Sequence, residues 1–516
     1  MNIFDSKILW IDLSRRKFYF EEFEKYKGFI GGRGVNQYIL FKKMPLNISP
    51  FDSSNLLAVG AGLLCGTKAP GASRVNIDSK NVFTGGIGST NVGGNFGPAL
   101  RKAGFSNIII TGRSEKLSYL YIDDGKVEIR DATELRLKTI QEVNEILKED
   151  LGDDFHIMAI GPAGENLVGV ACVVVDNARV AGRSGIGAIF GSKNLKAIAV
   201  RGTKEIEVAD PERFDNVIKK CIARIRESPF NQRRMKYGVY CYDEPWGIES
   251  PYRNFSGEAP PLSKKEKLMP DEFYKYLRRK KSCDSCPIMC WTVHEFDYDG
   301  EKISVEALQG NTIHNFGAKL DIDEPKDILM AHKLCNDLGL DEDATSNVIA
   351  WAIDCFEKGL LNDTDTDGLK LKWGDKDVIF TLIRKIAYRE GIGDILADGC
   401  KKASERIGRG TEECCVHIKG NDLFETLWMS PAWALGVVVA PRGGTHTRGA
   451  VIEERMRDIP GELSIRLFGV PTIGDITEYE NKEKLVVFME RLNAVSYTHL
   501  RAHETSLHLV CRLLLE

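Results

Sequence analysis

Cys283, Cys286 and Cys290 stand in the run Ser-Cys-Asp-Ser-Cys-Pro-Ile-Met-Cys, a C-x2-C-x3-C spacing. Three thiols this close can meet at one metal centre with little loop entropy to lose, so the chain has to fold around whatever they hold. Thiolate sets of this density hold zinc or an iron–sulfur cluster. Zinc commonly takes two C-x2-C pairs, or one pair with histidines, and the chain has no second pair. A 4Fe–4S cluster takes three close cysteines and a fourth from far along the chain. Pro287 stiffens the loop, and Ile288, Met289 and Trp291 can keep water from the sulfurs. Incidental core cysteines are the third reading. The C-x3-C-x2-C spacing of radical enzymes runs the other way round and does not match.

A chain of 516 residues predicts two to four domains with substantial cores. Its net charge of −4 gives no reason to expect nucleic acid as a partner. No apolar run approaches the length of a membrane span, and no basic-then-apolar leader opens the sequence. Apart from the loop and the Cys414-Cys415 pair, the thirteen cysteines are scattered. Together these features predict a cytoplasmic protein in a reducing setting, with no membrane partner and no disulfide framework.

Residues 1–205 read as β-rich. Short β-branched or apolar runs such as Ile8–Ile11, Asn107–Thr111, Tyr119–Ile122 and Ala197–Val200 are punctuated by glycine. Asp123-Asp124-Gly125-Lys126 between two such runs is a hairpin signal. Glycine is dense at 31–34, 85–88, 93–94 and 182–187. Such loops let backbone amides approach an anion; taken one at a time, each also reads as an ordinary turn. Gly185-Ile186-Gly187 lacks the flanks of a dinucleotide fingerprint. From 206 the texture turns helical. Asp323-Glu324-Pro325 opens a helix and Gly339 closes it, which brings Asn336 and Asp341 to a helix end where side chains can reach a ligand. Further helices are expected at 345–358, 377–390 and 480–493. Asn362–Gly368 has the composition of a calcium loop but lacks its closing glutamate, and reads as a solvated turn.

These motifs together resemble the aldehyde ferredoxin oxidoreductase family of tungsten enzymes, from residue 1 to about 495. Gly31-Gly32-Arg33-Gly34, Gly71-Ala72-Ser73-Arg74, Asn91–Pro98, Ala181–Ala188 and Gly191–Ala197 are similar to the family's pterin-binding loops. Tyr252-Arg253-Asn254-Phe255 precedes the thiol loop as in the family, and Asn336–Asp341 is similar to the first of two D-x-x-G-L-D/C pterin motifs, with Asn336 in place of the usual aspartate. The resemblance implies an α+β fold: a β-rich N-terminal domain under the pterins (1–205), a helical domain with the iron–sulfur loop and first pterin motif (206–410), and an incomplete third helical domain (411–495). It implies a tungsten (or molybdenum) bis-pterin beside a 4Fe–4S cluster at Cys283, Cys286 and Cys290, with Mg2+ as a candidate bridge between pterin phosphates. Arg74, Asn91, Gly93, Gly94, Arg183, Asn336, Gly339 and Asp341 would bind the pterins. Ferredoxin and an aldehyde would be the partners, and a homodimer is one expected assembly.

Two departures qualify that picture. Val305–Thr312 aligns with a family stretch whose last glutamate lies near the metal, and the residue there is Asn311. His446, in Pro441–Arg448, does match the family's metal-proximal histidine. The first reading is therefore aldehyde oxidation to the acid, with His446 handling the proton and Asn311 beside it. The second keeps the cofactors and reduces an acyl-CoA or other acid derivative. The third is a cluster-carrying electron-transfer subunit. The other departure is at the end: Glu490–Val495 matches a family helix that leads into a D-S-L-G-L-C segment, but residues 496–516 have neither its composition nor its register. That stretch reads as a non-native tail. The second pterin motif and the fourth cluster cysteine would then be missing, and Cys511 would be a chance residue far from the other three thiols.

Overall fold

The computed structural model describes residues 5–29, 31–241, 250–424, 427, 430–451, 462, 465–466, 469 and 477–499. Twelve strands build two six-stranded sheets in the first 201 residues. The first contains β1 (Lys7–Asp12), β2 (Lys17–Glu22), β3 (Leu57–Ala61), β4 (Val75–Lys80), β5 (Ile87–Val92) and β6 (Phe105–Thr111), in the order β2-β1-β6-β3-β4-β5. The second contains β7 (Ser118–Asp123), β8 (Lys126–Asp131), β9 (His156–Ala159), β10 (Val173–Val175), β11 (Arg179–Ala181) and β12 (Leu195–Arg201), in the order β11-β10-β9-β12-β7-β8. Only β1–β6 and β7–β12 run parallel among these pairs; the others are antiparallel. The expected turn at Asp123–Lys126 joins β7 to β8.

Strand alternation decides what each face covers. Leu9 and Ile11 of β1 point into a core shared with Leu120 and Ile122 of β7 and Ile198 and Val200 of β12. Ile8 and Trp10, one residue out of step, face outward and are covered by Val35, Ile39 and Leu40 of the helix Gly32–Lys43. The second sheet is covered in the same way by Ile140, Val143 and Leu147 of the helix Ile140–Leu151. The glycine run at 31–34 thus opens a helix, with Gly31 bridging Gly62.

A third sheet interrupts the helical half, which the sequence did not announce: β13 (Leu277–Lys281), β14 (Trp291–Tyr298) and β15 (Glu301–Glu306) form an antiparallel meander. The helices Pro325–Leu338, Glu342–Glu357 and Lys376–Tyr388 pack around another apolar core, in which Trp351 is fully buried. Gly339 ends the first of them in the left-handed region, at φ 74°, as its position predicts. The second starts three residues earlier than its apolar pattern, because Asp341 caps it by accepting from the N–H groups of Asp343 (3.0 Å) and Ala344 (3.3 Å). In the Asn362–Gly368 turn the carboxylates pair with Lys370, Arg409 and Lys385 rather than with one another. Cys400 and Cys415 form a disulfide, with Cα atoms 5.6 Å apart. The sequence predicts no disulfide framework, and this single bond is one that it did not foresee. The last described helix, Lys482–His499, passes the expected start of the tail at 496; Cys511 lies outside the described residues. No described helix is long and apolar enough to cross a membrane.

Candidate active site

The thiol loop is the connection from β13 to β14. Cys286 N–H donates to the carbonyl of Cys283 (3.1 Å), which curls the chain, and Ser285 and Met289 take positive φ to keep it curled. All three cysteines are buried, in an apolar cage with Ile225, Val239 and Ile288. Cys283 leans on the N-terminal half: the Gly94 N–H donates to its Sγ at 3.3 Å. A Cβ on Gly93 would lie 3.2 Å from that sulfur and 3.1 Å from Nη1 of Arg74, so a side chain there would crowd both groups. Among the described residues, no three His, Cys, Asp or Glu side chains converge on a single-ion site.

Arg74 and Asn91 are held by the register of β4 and β5, which pairs Asn76 with Asn91. Arg74 Nε donates to Asn91 Oδ1 and its Nη2 to the Asn91 carbonyl (3.4 Å), while Asn91 Nδ2 donates to Asn76 Oδ1 (2.9 Å). This lattice fixes a cation next to the thiols.

At the other end of β5 a second group of residues meets. Arg183, Ser184 and Gly185 follow one another in the left-handed region, at φ 67°, 63° and 68°. Left-handed backbone is costly for residues with a Cβ, and such strain persists only where the surroundings impose it. A Cβ on Gly185 would lie 2.7 Å from Val82. The turn sends the Arg183 N–H to Asp341 Oδ2 and its Nη2 to the carbonyls of Asp422 and Gly444 (3.0 Å). Arg183 is buried, yet its Nε and Nη1 have no hydrogen-bond partner. A buried guanidinium with unmatched donors fits an anionic ligand. Ser184 Oγ accepts from the Ser89 N–H (3.3 Å), and Arg442 donates to the Ser89 carbonyl (2.7 Å), so β5 physically joins the two groups.

His446 follows in the loop that Arg183 grips. Its ring stacks on Trp433 at 5.6 Å and meets Phe424 edge-on at 5.9 Å, and Arg183 lies over Phe424. Burial, with the Arg183 charge adding to it, pushes its pKa from 6.5 down to about 4. The imidazole is therefore neutral at neutral pH and able to accept a proton.

Asn336 Nδ2 lies 3.1 Å from His332 Nε2, whose hydrogen goes to the Glu306 carbonyl (2.8 Å), and Asn336 Oδ1 is buried without a partner, again an atom that a ligand donor would satisfy. Gly339 carries the chain past Gly161 and accepts the Cys172 N–H (2.8 Å), and the Asp341 N–H donates to the Val170 carbonyl (2.9 Å). These bonds sew the 336–341 segment to the chain that leads into β10. Asn311 is exposed, in the short helix Gly310–Thr312, whose Thr312 donates to Glu342 (2.6 Å). The π-helical turn Ile313–Lys319 follows it, an irregularity that often marks functional sites. It supplies fully buried Lys319, whose pKa burial lowers to about 7, and Asn315, which holds Asp343 (2.7 Å).

Sequence reasoning passed over several neighbours. Arg179 is buried with its guanidinium 4.5 Å over Trp291, the residue after Cys290; it lies just before the quoted glycine loop and could have been included with it. Lys319, Asp422, Phe424 and Trp433 stand in segments without any motif, and nothing local marks them.

A family model described as the aldehyde ferredoxin oxidoreductase N-terminal domain matches residues 8–202, and one described as domains 2 and 3 of the same enzyme matches residues 216–499. The chain belongs to this family. It is therefore an oxidoreductase with an α+β fold. A tungsten-containing aldehyde ferredoxin oxidoreductase of Pyrococcus furiosus is 35% identical over 474 residues, covering 89% of this chain and 76% of the relative. The WOR-like subunit of an aliphatic sulfonate oxidoreductase from the same organism is 28% identical, with 96% of this chain and 83% of that one covered. Among solved structures, the BamBC active-site complex of benzoyl coenzyme A reductase with 1,5-dienoyl-CoA matches with a TM-score of 0.77 and 30% identity, over 86% of this chain and 69% of the other. The relatives thus carry more than one reaction in their names.

Proposed function

We propose that the chain oxidises an aldehyde to the carboxylic acid, using a tungsten bis-pterin and passing electrons through a 4Fe–4S cluster to ferredoxin. The observation that carries the reading is the junction at Gly93–Gly94, where the thiol loop and the Arg74–Asn91 loop share one contact. A metal pterin and a cluster need to be neighbours if a two-electron change is to be drained one electron at a time. The donor set fits both groups. Arg183 has unmatched donors for a phosphate, Asn336 an unmatched acceptor for a pterin N–H, and three buried thiols, with the Gly94 N–H donating to Cys283 Sγ, suit an anionic thiolate-held cluster. When bound, the metal pterin supplies the two-electron chemistry at the carbonyl carbon.

The balance is one aldehyde and one water giving one acid, two protons and two electrons. Neutral His446 accepts a proton as water adds to the carbonyl carbon, its ring orientation set by Trp433 and Phe424. Arg183 holds the Gly444 carbonyl two residues before it and so fixes the loop. Asn311 can donate a hydrogen bond to a substrate oxygen but takes no proton at neutral pH. That asparagine, and the likeness to an acyl-CoA reductase complex, favour low-potential reduction of an acyl-CoA as the second reading.

The test is metal analysis joined to a substrate panel. Tungsten or molybdenum near one atom per chain, with aldehyde-dependent reduction of an artificial acceptor, supports the first reading. Metal present with activity only on thioesters supports the second. Iron without tungsten or molybdenum overturns both and leaves an electron carrier. Asn311→Glu should raise activity on simple aldehydes under the first reading.

A further inference from the structure

The elements that enclose the thiol loop are far more basic than the chain as a whole. Residues 211–237 carry eight Lys or Arg against three Asp or Glu, and residues 275–281 carry five cations and no acid, in a protein of net charge −4. Both stretches touch the loop. Ile225 packs against the three cysteines, and Lys280 donates to the Met235 carbonyl, which ties β13 to the helix Pro229–Tyr237. β13 is an edge strand, so Arg278 and Arg279 project beside the loop they lead into, and both are exposed. Lys275 and Lys281 are neutralised by Glu272 and Glu306, whereas Arg278 donates to the main-chain carbonyls of Lys275 and Leu277, and among the described residues no carboxylate pairs with it. Met289, next to Cys290, is 45% exposed.

An exposed methionine on a loop that an exposed arginine pair leads into has the composition of a protein interface. We infer that this face, with Arg278 and Arg279 at the entry to the thiol loop, Met289 on it and exposed Arg226 next to Ile225, is the docking surface for an acidic one-electron iron–sulfur protein. Thiolate-ligated clusters are anionic, so the carrier's redox centre brings negative charge to the same place. Positive charge at the exit would steer that partner and orient its cluster toward Cys286 and Cys290. The same charges would also discourage strand addition at the edge of β13, and edge protection alone is the competing account. The inference rests on the cluster assignment proposed above.

The experiment uses the full chain, an acidic 4Fe–4S ferredoxin and a small neutral acceptor. Arg278→Glu/Arg279→Glu and, separately, Arg226→Glu are compared with the parent for ferredoxin binding by calorimetry and for turnover with each acceptor. The surface predicts that ferredoxin affinity and kcat/KM fall about tenfold or more at low salt while the neutral acceptor changes less than about twofold. The deficit should shrink as salt is raised, because such charges are screened over about 10 Å at 0.1 M. Unchanged ferredoxin binding at low salt overturns the inference, as does an equal fall with both acceptors. The binding arm decides the matter even if no aldehyde is turned over, so failure of the functional reading and failure of the docking surface are separable.

Discussion

A methyl group on Gly182 would fall 2.7 Å from Asp341 Oδ2, the oxygen that receives the Arg183 N–H. Gly182→Ala should therefore push Asp341 off that N–H while leaving its other oxygen free to cap the helix Glu342–Glu357. The expected result is normal thermal unfolding with reduced pterin and tungsten content, measured on the same preparation. Asp341→Ala removes both roles and should also cost about 0.5–2 kcal/mol of stability in urea titration, as lost N-caps do. His446 gives a pH prediction. Its pKa lies below the ordinary 6.5, at about 4, so the unfolded chain binds the extra proton first and stability falls as pH drops from 6.5 toward 4. The neutral form needed for catalysis persists until the pH itself approaches 4. The acid limb of kcat/KM should thus lie near 4, and should vanish with His446→Asn; a limb near 6.5 would assign it to another group. Residue identities at these positions were legible because each sits in a glycine-rich or capped motif. Asp341's capping bonds were not, since its acceptor geometry depends on the turn after Gly339.

Elements were readable where their ends carry chemistry. The helix Pro325–Leu338 has proline in its first turn and glycine after its last, and the β7–β8 hairpin has Asp-Gly at its turn. β13 had no such signal: Leu-Arg-Arg-Lys-Lys shows no apolar alternation, and it becomes a strand because β14 pairs with it, a contact between residues that no local pattern encodes. The Cys400–Cys415 bond was equally hidden. It depends on the helix Gly399–Ile407 lying against the turn Thr411–Cys414, and spacing alone does not bring thiols together. Closing a loop of that size restricts the unfolded chain, an effect of about 3 kcal/mol in the loop-entropy account. Cys400→Ser, or a dithiol reductant, should lower the unfolding free energy by up to about that amount. Identical urea curves with and without reductant would show that the bond does not contribute in solution.

At the scale of the molecule, the α+β class followed from the change of texture near 206, but the order of strands did not. Both six-stranded sheets combine neighbours from distant parts of the chain, such as β1 with β6 and β7 with β12, and such pairings are settled by which apolar faces can be buried together. The chain closes on itself in the same way. The helix Lys482–His499 packs against both Gly32–Lys43 and Pro431–Val439, and so links the last described element to the first sheet's outer helix. Leu485, Val486 and Met489 are its buried anchors, and Val486 and Glu490 close over Gly449, three residues after His446. The helix therefore braces the loop that carries the catalytic candidate. Leu485 is fully buried, and Leu485→Ala should cost about 2–5 kcal/mol, the range for emptying a core leucine site. If the bracing matters for the site, the same variant should make the 431–451 segment the first to be cut in limited proteolysis, ahead of the two-sheet core. Cleavage that instead begins within residues 57–111 would place the loss of stability elsewhere and detach this helix from the His446 loop.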